Sequence, residues 1–164
     1  MKKSFTLFVV FIFHFSFFIF HSKAQVPYWK WAKHAGGASY DEATAMLRNN
    51  AGNLTVAGTF RGTAYFPADT ITPSLFTNMF IAEYGLDGTN LSVKHIAECT
   101  GEIVPGFIFQ DADSNYYIVG TFGTFSSGGT VTFFPSTSFT SAGNQDIFVA
   151  KFDAAGNLRW AHSI

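Results

Sequence analysis

Three oxygen-bearing side chains alternate in the stretch DADSN, where Asp111, Asp113 and Asn115 stand two residues apart. This spacing is typical of a calcium-binding loop, which also requires a bidentate acid later in the loop. No acid follows Asn115 at that distance, and the matching stretch NNAGN at residues 49–53 carries an alanine in the middle position. The sequence therefore favours a hairpin turn over a metal site, and we expect no bound metal.

Three histidines lie near the ends of predicted strands: His34, His95 and His162. They stand at different offsets from the hydrophobic residues of those strands, so the sequence does not place them on a common surface. Metal and general-base sites need several suitable groups within reach of one another. We therefore interpret these histidines as solvated or edge residues.

Carboxylates occur at Asp41-Glu42 and again at residues 98–102. Acid or base catalysis needs such a group beside a nucleophile or a matched second carboxylate, and neither stretch offers one. Cys99 is the one cysteine, so an intrachain disulfide is impossible. We expect Cys99 to be a small buried hydrophobic residue, and we expect no catalytic residue and no cofactor.

The first 24 residues carry two lysines at positions 2 and 3, an apolar run over residues 5–20, and a short polar stretch that contains Lys23 and the small residues Ser22 and Ala24. This pattern is typical of a secretory signal peptide. The apolar run is shorter than the roughly 20 residues that a membrane-spanning helix needs. We expect cleavage between Ala24 and Gln25 and a secreted or outer-surface location, with an uncleaved membrane anchor as the alternative.

The charge of the predicted mature chain bears on its partners. After signal cleavage seven basic residues face eleven acidic ones, a net charge of −4. Nucleic-acid binding depends on clustered Lys and Arg side chains that neutralise phosphates. We therefore expect no nucleic-acid partner, and no membrane span once the signal is removed.

Two stretches of the sequence occur twice. GNLTVAGTF at residues 52–60 returns as SNYYIVGTF at residues 114–122, a shift of 62. FIAEY at residues 80–84 returns as FVAKF at residues 148–152, a shift of 68. The six additional residues of the second copy lie in the stretch containing GTFSSGGT. Length therefore changes in a predicted surface loop and not within the matching segments.

Each copy is predicted to form four short strands, which in the first copy are residues 43–48, 54–60, 80–84 and 91–95. These segments are rich in β-branched and aromatic residues and are bounded by Gly, Asn and Asp. Several are apolar on both faces, which predicts antiparallel sheets that are covered on both sides. Four strands at this period predict an all-β fold of β-propeller blades, with a β-sandwich as the alternative.

Several motifs resemble a known repeat family. WAK at residues 31–33 is followed by AGG at residues 35–37 and by Asp41; a Gly-Asn turn then leads into VAGTF, and DIFVAKFD is followed by GN and a closing Trp. These features resemble the SBBP-type β-propeller repeats of secreted bacterial proteins. The resemblance covers nearly all of residues 28–164 and is strongest at residues 146–160. It implies an exported propeller scaffold, and it implies no catalytic residues.

The repeat predicts a domain organisation. A signal peptide at residues 1–24 is followed by a propeller region at residues 25–164. That region contains one blade at about residues 41–96 and a second at about residues 103–163. Residues 28–33 match the fourth strand of a blade and form an orphan strand without the preceding three.

Two blades and one strand cannot form a ring of four to eight blades. A bare blade face would expose about five large side chains, such as Phe60, Phe80 and Tyr84, at a cost of roughly 10 kcal/mol. This cost is comparable with the whole stability of a domain, about 5–15 kcal/mol. We therefore expect the chain to be a fragment of a longer protein, or to close its ring as an oligomer.

Two classes of function remain open. The first is a non-catalytic scaffold for binding or adhesion, which recognises an extracellular glycan or protein through variable loops at residues 61–79 and 123–145. The second is a propeller enzyme, a lyase or hydrolase, with a site in the central channel. Unlike polar residues from several blades would favour the enzyme, whereas the near-identical turn residues of the two copies favour the scaffold.

Overall fold

The structure is a computed structural model that describes residues 28–164. The predicted signal peptide and its cleavage point after Ala24 lie outside the described residues. The described part of the chain is all-β, as predicted, and contains no helix that is long and apolar enough to cross a membrane. Its strands are β1 (Asp41–Arg48), β2 (Leu54–Phe60), β3 (Ala64–Tyr65), β4 (Thr70–Ile71), β5 (Thr77–Tyr84), β6 (Asn90–Cys99), β7 (Glu102–Gln110), β8 (Tyr116–Gly123), β9 (Thr130–Phe133), β10 (Thr137–Thr140), β11 (Gln145–Phe152) and β12 (Leu158–Ser163).

The two copies of the repeated sequence fold into two antiparallel four-stranded units. The first unit consists of β1, β2, β5 and β6, and the second consists of β7, β8, β11 and β12. In both units the strands lie side by side in repeat order, so each unit is a meander. Among the described residues, no sheet closes on itself.

Each unit also carries a short hairpin between its second and third strands. In the first unit β3 and β4 form a separate two-stranded sheet. In the second unit β9 pairs with β6, so β9 and β10 extend the sheet of the first unit to six strands. The additional residues of the second copy lie just before β9 and include a turn at residues 125–127. The length difference therefore falls in a loop, as expected.

A glycine and a phenylalanine face each other at the centre of both units. Gly58 pairs with Phe80 across β2 and β5, and Gly120 pairs with Phe148 across β8 and β11. A Cβ added at either glycine would lie 2.7 Å from an atom of the opposing ring. Each ring therefore covers its glycine. This packing explains why GTF in one strand recurs together with F-x-A in the next.

Four hairpin turns share one five-residue geometry. The N–H of the first residue donates to the carbonyl of the fifth, and the N–H of the fourth donates to the carbonyl of the first. The fourth residue has a positive φ, which is 85° at Gly52, 83° at Gly88, 65° at Ser114 and 72° at Gly156. Glycine adopts this conformation at little cost, which accounts for its recurrence in these turns.

The main core lies between the two units. Met79 of the first unit and Phe122, Phe148 and Phe152 of the second are fully buried in one cluster. The hairpin strand β9 adds Phe133, whose ring centroid lies 5.1 Å from that of Phe148. The two units therefore share one core.

The opposite face of the first unit is covered by its own hairpin. Phe60, Phe66 and Phe80 form a second cluster, in which the ring centroids of Phe66 and Phe80 are 5.1 Å apart. Phe60 is 0% exposed and Phe80 is 5% exposed. The β3–β4 hairpin folds over these two side chains, so this face of the first unit is not left bare. Tyr84 is half-buried.

Residues 28–33 form no strand, contrary to the prediction. A strand requires a neighbour for its ladder of hydrogen bonds. Within residues 28–37, which the structure describes in full, the hydrogen bonds between backbone groups are two bonds of 3.1 Å that Gly36 exchanges with Tyr65 of β3. Trp31 adds one bond of 2.9 Å from its Nε1 to the carbonyl oxygen of Leu86. We call residues 28–37 the leading segment.

Candidate functional site

The loops that follow β2 and β8 lie at the same end of the two units. Both leave the second strand of a unit, at residues 61–79 and 123–145. Gly101, which joins β6 to β7, lies against the second loop, since a Cβ added there would be 2.9 Å from Thr124 Cγ2. We call the surface formed by these two loops and the β6–β7 connection the loop surface.

Arg61 is held on this surface by four neighbours. Its Nη2 donates to Glu102 Oε1 at 2.9 Å, and its Nε donates to Thr77 Oγ1 at 3.2 Å. Its guanidinium carbon lies 4.3 Å from the ring centre of Phe76 and 5.3 Å from that of Tyr40. A guanidinium stacks favourably on aromatic rings. These five residues form an ordered group, which we call the arginine cluster.

The aromatic members of the arginine cluster face solvent. Phe76 is 56% exposed and Tyr40 is 53% exposed. The Tyr40 hydroxyl donates to Glu42 Oε2 at 2.5 Å, and this bond to a carboxylate raises the pKa of Tyr40. Tyr and Arg are among the side chains most enriched at energetically important recognition sites, and aromatic side chains in general are enriched in interfaces.

The second loop presents one large apolar side chain on a supported turn. Phe125 is 79% exposed. Beside it, the Thr124 hydroxyl oxygen accepts a 2.9 Å bond from the Ser127 N–H. Gly128 has a φ of 68°, and a Cβ there would lie 2.4 Å from the carbonyl oxygen of Gly143. The base of this loop is therefore closely packed while its tip is open to solvent.

A cavity of about 410 Å³ lies between the leading segment and the first unit. Most of its lining is apolar and includes Trp31, Met46, Val56, Phe60, Phe80 and Tyr84. Asp41 lies at its wall, where its Oδ2 accepts a 2.7 Å bond from the Gly37 N–H. The buried Oδ1 of Asp41 has no hydrogen-bond partner among the described residues. An unpaired buried oxygen is costly, so a donor placed here from outside would stabilise the site.

Asp111 organises the DADSN turn. Its Oδ1 accepts bonds from the backbone N–H of Asn115 at 2.8 Å and from the side chain of Asn115 at 3.1 Å. Its Oδ2 accepts a 3.1 Å bond from the Tyr117 hydroxyl and lies 3.4 Å from Lys151 Nζ. Desolvation raises the pKa of Asp111, but the bonds from Asn115, Tyr117 and Lys151 outweigh it and hold the pKa at about 2. Asp113 is exposed at the tip, and Asp111 is a turn residue.

The three histidines have different surroundings. His34 is exposed at the cavity, and His162 is exposed on β12. His95 is half-buried between Phe60 and Phe134, with ring centroids at 5.1 and 4.7 Å. Burial lowers the pKa of His95. Within residues 28–164, no three His, Cys, Asp or Glu side chains are grouped so as to hold a metal ion.

The remaining candidate groups make structural contacts. Glu98 accepts a hydrogen bond from the Ser74 hydroxyl, and Glu102 belongs to the arginine cluster. Cys99 is 0% exposed, so its predicted burial is confirmed, and this burial raises the pKa of its thiol. These groups are engaged in packing, hydrogen bonding and ion pairing.

Sequence reasoning did not identify the arginine cluster. Tyr40, Arg61 and Glu102 come from three separate parts of the chain, and only the packing of the two units brings them together. One signal was present in the sequence, since Arg61 and Phe76 both lie within the loop predicted to vary in length and composition.

Comparison with known proteins adds no assignment. No family model matches the chain, and no curated protein matches it at a significant level. The resemblance of its motifs to a repeat family therefore stays a prediction, and function has to be argued from the site.

Proposed function

We propose that the two units are neighbouring blades of a β-propeller within a non-catalytic binding scaffold that is secreted or held on the outer cell surface. Two meanders of the same strand order, packed over one core, support the propeller part. The first strands of the two units also pack together, and the Thr44 hydroxyl of β1 donates to the carbonyl of Pro105 in β7. In a propeller the blades are arranged radially around a central channel. The pattern of residues 1–24 supports export.

The arginine cluster carries the binding part of the proposal. It places a guanidinium and two exposed aromatic rings at the edge where loops from both units meet. The ion pair with Glu102 and the bond to Thr77 fix Arg61 before any ligand arrives. A preordered side chain loses little conformational freedom on binding, which favours affinity. The ligand class is the one predicted from the sequence, an extracellular glycan or protein.

The test is a binding screen of the mature chain against arrayed glycans and extracellular proteins. For each ligand found, Arg61→Lys and Phe76→Ala are compared with Leu86→Ala. Leu86 is 54% exposed in the β5–β6 turn, at the opposite end of the first unit, so it is the matched control. We expect both cluster variants to weaken binding by about tenfold or more, because lysine keeps the charge but not the planar stacking.

Two outcomes contradict the proposal. Binding that survives both cluster variants would place recognition elsewhere. Cleavage of an arrayed glycan by the purified chain, unaffected by Arg61→Lys and Phe76→Ala, would favour the propeller enzyme with a channel site.

A further inference from the structure

The contact between the two units shows which side chains meet when one unit packs on another. The first unit contributes Ala57, Met79 and Ile81, and the second contributes Phe122 and Phe148, all buried in one cluster. We call the side of a unit that carries the first set the aliphatic face. The side that carries the second set is the phenylalanine face.

Within residues 28–164, no partner unit covers the aliphatic face on the outer side of the second unit. Val119, Ile147 and Val149 stand there at the repeat positions of the three aliphatic residues just named. Ile147 is 46% exposed and Val119 is 37% exposed, and Phe107 beside them is 62% exposed. The side chains that are buried in the first unit are thus open to solvent in the second.

The phenylalanine face on the outer side of the first unit is covered in part by the β3–β4 hairpin, but no partner unit among the described residues packs on it. Phe60 and Phe80 stand there at the positions of the two phenylalanines that the second unit buries. Met46 is 64% exposed, whereas Ile108, at the same repeat position, is 4% exposed in the contact between the units. The cavity of about 410 Å³ lies over this face.

The free aliphatic face is bulkier than the one already in contact. Phe107 and Val119 replace the smaller Ala45 and Ala57 of the first unit. A bulkier face needs more room than the contact between the two units provides. The leading segment is separated from the first unit by the cavity of about 410 Å³, so displacing this segment would leave room over the free phenylalanine face.

The leading segment stands where the outermost strand of an incoming unit would lie. Gly36 pairs with Tyr65 of β3 in the same way as Ala97 of β6 pairs with Phe133 of β9. The leading segment is therefore placed against the first unit as β6 is placed against the second, but in the part of the chain that the structure describes no three strands accompany it as β1, β2 and β5 accompany β6.

A second contact gives the same placement. A Cβ added at Gly88 would lie 3.0 Å from Lys33 of the leading segment. A Cβ added at the equivalent Gly156 would lie 3.1 Å from Lys94 of β6. The leading segment thus repeats the contacts of a fourth strand while being held by few bonds of its own.

We propose that a second copy of this chain docks head to tail, with the aliphatic face of its second unit on the phenylalanine face of the first unit. The β12 strand of the incoming copy takes the place of the leading segment. The occupant is a second copy because the free aliphatic face belongs to this same chain and the contact continues the one already present between its units. This inference concerns assembly and does not depend on the ligand of the loop surface.

Such a contact joins two different patches, so every added copy leaves one patch of each kind free. Heterologous contacts either close into a ring or continue as a filament. A ring of about four to eight units requires two to four copies of a two-unit chain.

The test is sedimentation velocity with light scattering on the mature chain over a range of concentrations. Met46→Asp places a charge on the free phenylalanine face, and Ile147→Asp places one on the free aliphatic face. Both residues are exposed in the single copy, so we expect both variants to fold, and circular dichroism checks this. Each variant alone should be monomeric at concentrations where the parent associates. Phe125→Asp, in the exposed loop, is the control and should associate like the parent.

Mixing the two variants separates head-to-tail docking from other modes of association. The Met46→Asp protein keeps an intact aliphatic face and the Ile147→Asp protein keeps an intact phenylalanine face. An equimolar mixture should therefore form one dimer that cannot grow further. A symmetric interface of like patches would give no such recovery.

The role of the leading segment is tested by loosening it. Trp31→Ala removes the bond to the Leu86 carbonyl, and we expect association to tighten by about tenfold, since a competing occupant is weakened. Trp29→Ala is the matched control, because Trp29 is 93% exposed. Weaker association of Trp31→Ala would overturn the exchange with β12.

A parent chain that stays monomeric at about 100 µM, or a mixture of variants without dimers, would overturn the docking itself.

Discussion

Phe148 and Phe80 occupy the same repeat position but are covered by different neighbours. Phe148 is fully buried against Phe133 in the core shared by the two units, whereas Phe80 packs on Phe66 of its own hairpin. We expect Phe148→Ala to lower the free energy of unfolding by about 3–5 kcal/mol, and Phe80→Ala to lie at the lower end of that range, because its cluster is smaller. Chemical denaturation followed by circular dichroism measures both, with Phe125→Ala as the exposed control, which should change stability by less than about 0.5 kcal/mol. Parent-like stability of Phe148→Ala would contradict the shared core.

His95 makes the stability of the chain depend on pH. Burial between Phe60 and Phe134 lowers the pKa of this histidine below its ordinary value of about 6.5. The unfolded chain therefore binds a proton at a pH where the folded chain does not, so this contribution is complete above about pH 6.5 and declines as the pH falls below it. Denaturation at pH 7.5 and at pH 5.0 should show this loss in the parent and a smaller one in His95→Gln. An equal loss in both proteins would assign the effect to another group.

Asp111 is occupied by the turn that it organises. Its two oxygens already accept bonds from Asn115 and Tyr117 and face Lys151, so a cation would have to displace these partners. We expect calorimetric titration with calcium to show no site tighter than about 1 mM. A micromolar isotherm that disappears in Asp111→Ala would overturn the turn assignment and restore a calcium loop.

At the scale of elements, a change in the loop before β9 can test ligand binding independently of folding. Residues 126–129 belong to the insertion that the first copy lacks. Two hydrogen bonds tie them to Ser141: the Gly129 N–H donates to Ser141 Oγ at 2.8 Å, and the Ser141 N–H donates to the Gly129 carbonyl at 2.9 Å. Replacing these residues by the shorter join of the first copy should cost about 1–3 kcal/mol, the worth of the two bonds. Thermal melting measures the stability, and the screen described above measures the binding.

The same replacement distinguishes the two classes of function. For a binding scaffold the shortened loop should alter ligand binding while the fold is retained. For an enzyme with a channel site it should spare activity. A shortened variant that unfolds while Phe148→Ala melts like the parent would reverse the assignment of surface and core.

The strands could be predicted from the sequence because their signals are local. Turn residues and the apolar runs between them predict β2 with its observed bounds, whereas β5 begins at Thr77 and not at the predicted residue 80. The insertion was placed in the right loop. The β3–β4 hairpin was missed because four strand residues carry too short a pattern, and with it the cover that Phe66 gives to Phe60 and Phe80. The sequence of residues 28–33 is typical of a β-strand. A strand also needs a neighbouring strand with which to form hydrogen bonds, and the local sequence does not show whether one is present.

The candidate site was less predictable than the fold. The loops were identified by their length difference, yet the partners of Arg61 come from the start of β1 and from the junction of the two units. Side chains that meet only through tertiary packing leave no spacing signal in one sequence. In contrast, the turn role of Asp111 depends on residues within a single hairpin and was predicted from their pattern.

At the scale of the whole molecule, the prediction of export determines in which compartment the protein would meet a ligand. The lysines, apolar run and small residues at the start of the chain predict cleavage between Ala24 and Gln25. Intact-mass measurement of protein recovered from a secreting host should give a mature chain that begins at Gln25. A recovered chain that still carries Met1 would contradict cleavage and support the membrane anchor.

The pairing of β9 with β6 has a consequence for the order in which the chain matures. During synthesis the first unit emerges with the edge of β6 unpaired at residues 97–99, and an open edge invites pairing with the wrong neighbour. The hairpin of the next unit arrives later and shields that edge. The second unit thus protects the sheet edge of the unit made before it, and in an array of such repeats only the newest unit would be vulnerable to aggregation at any moment of synthesis.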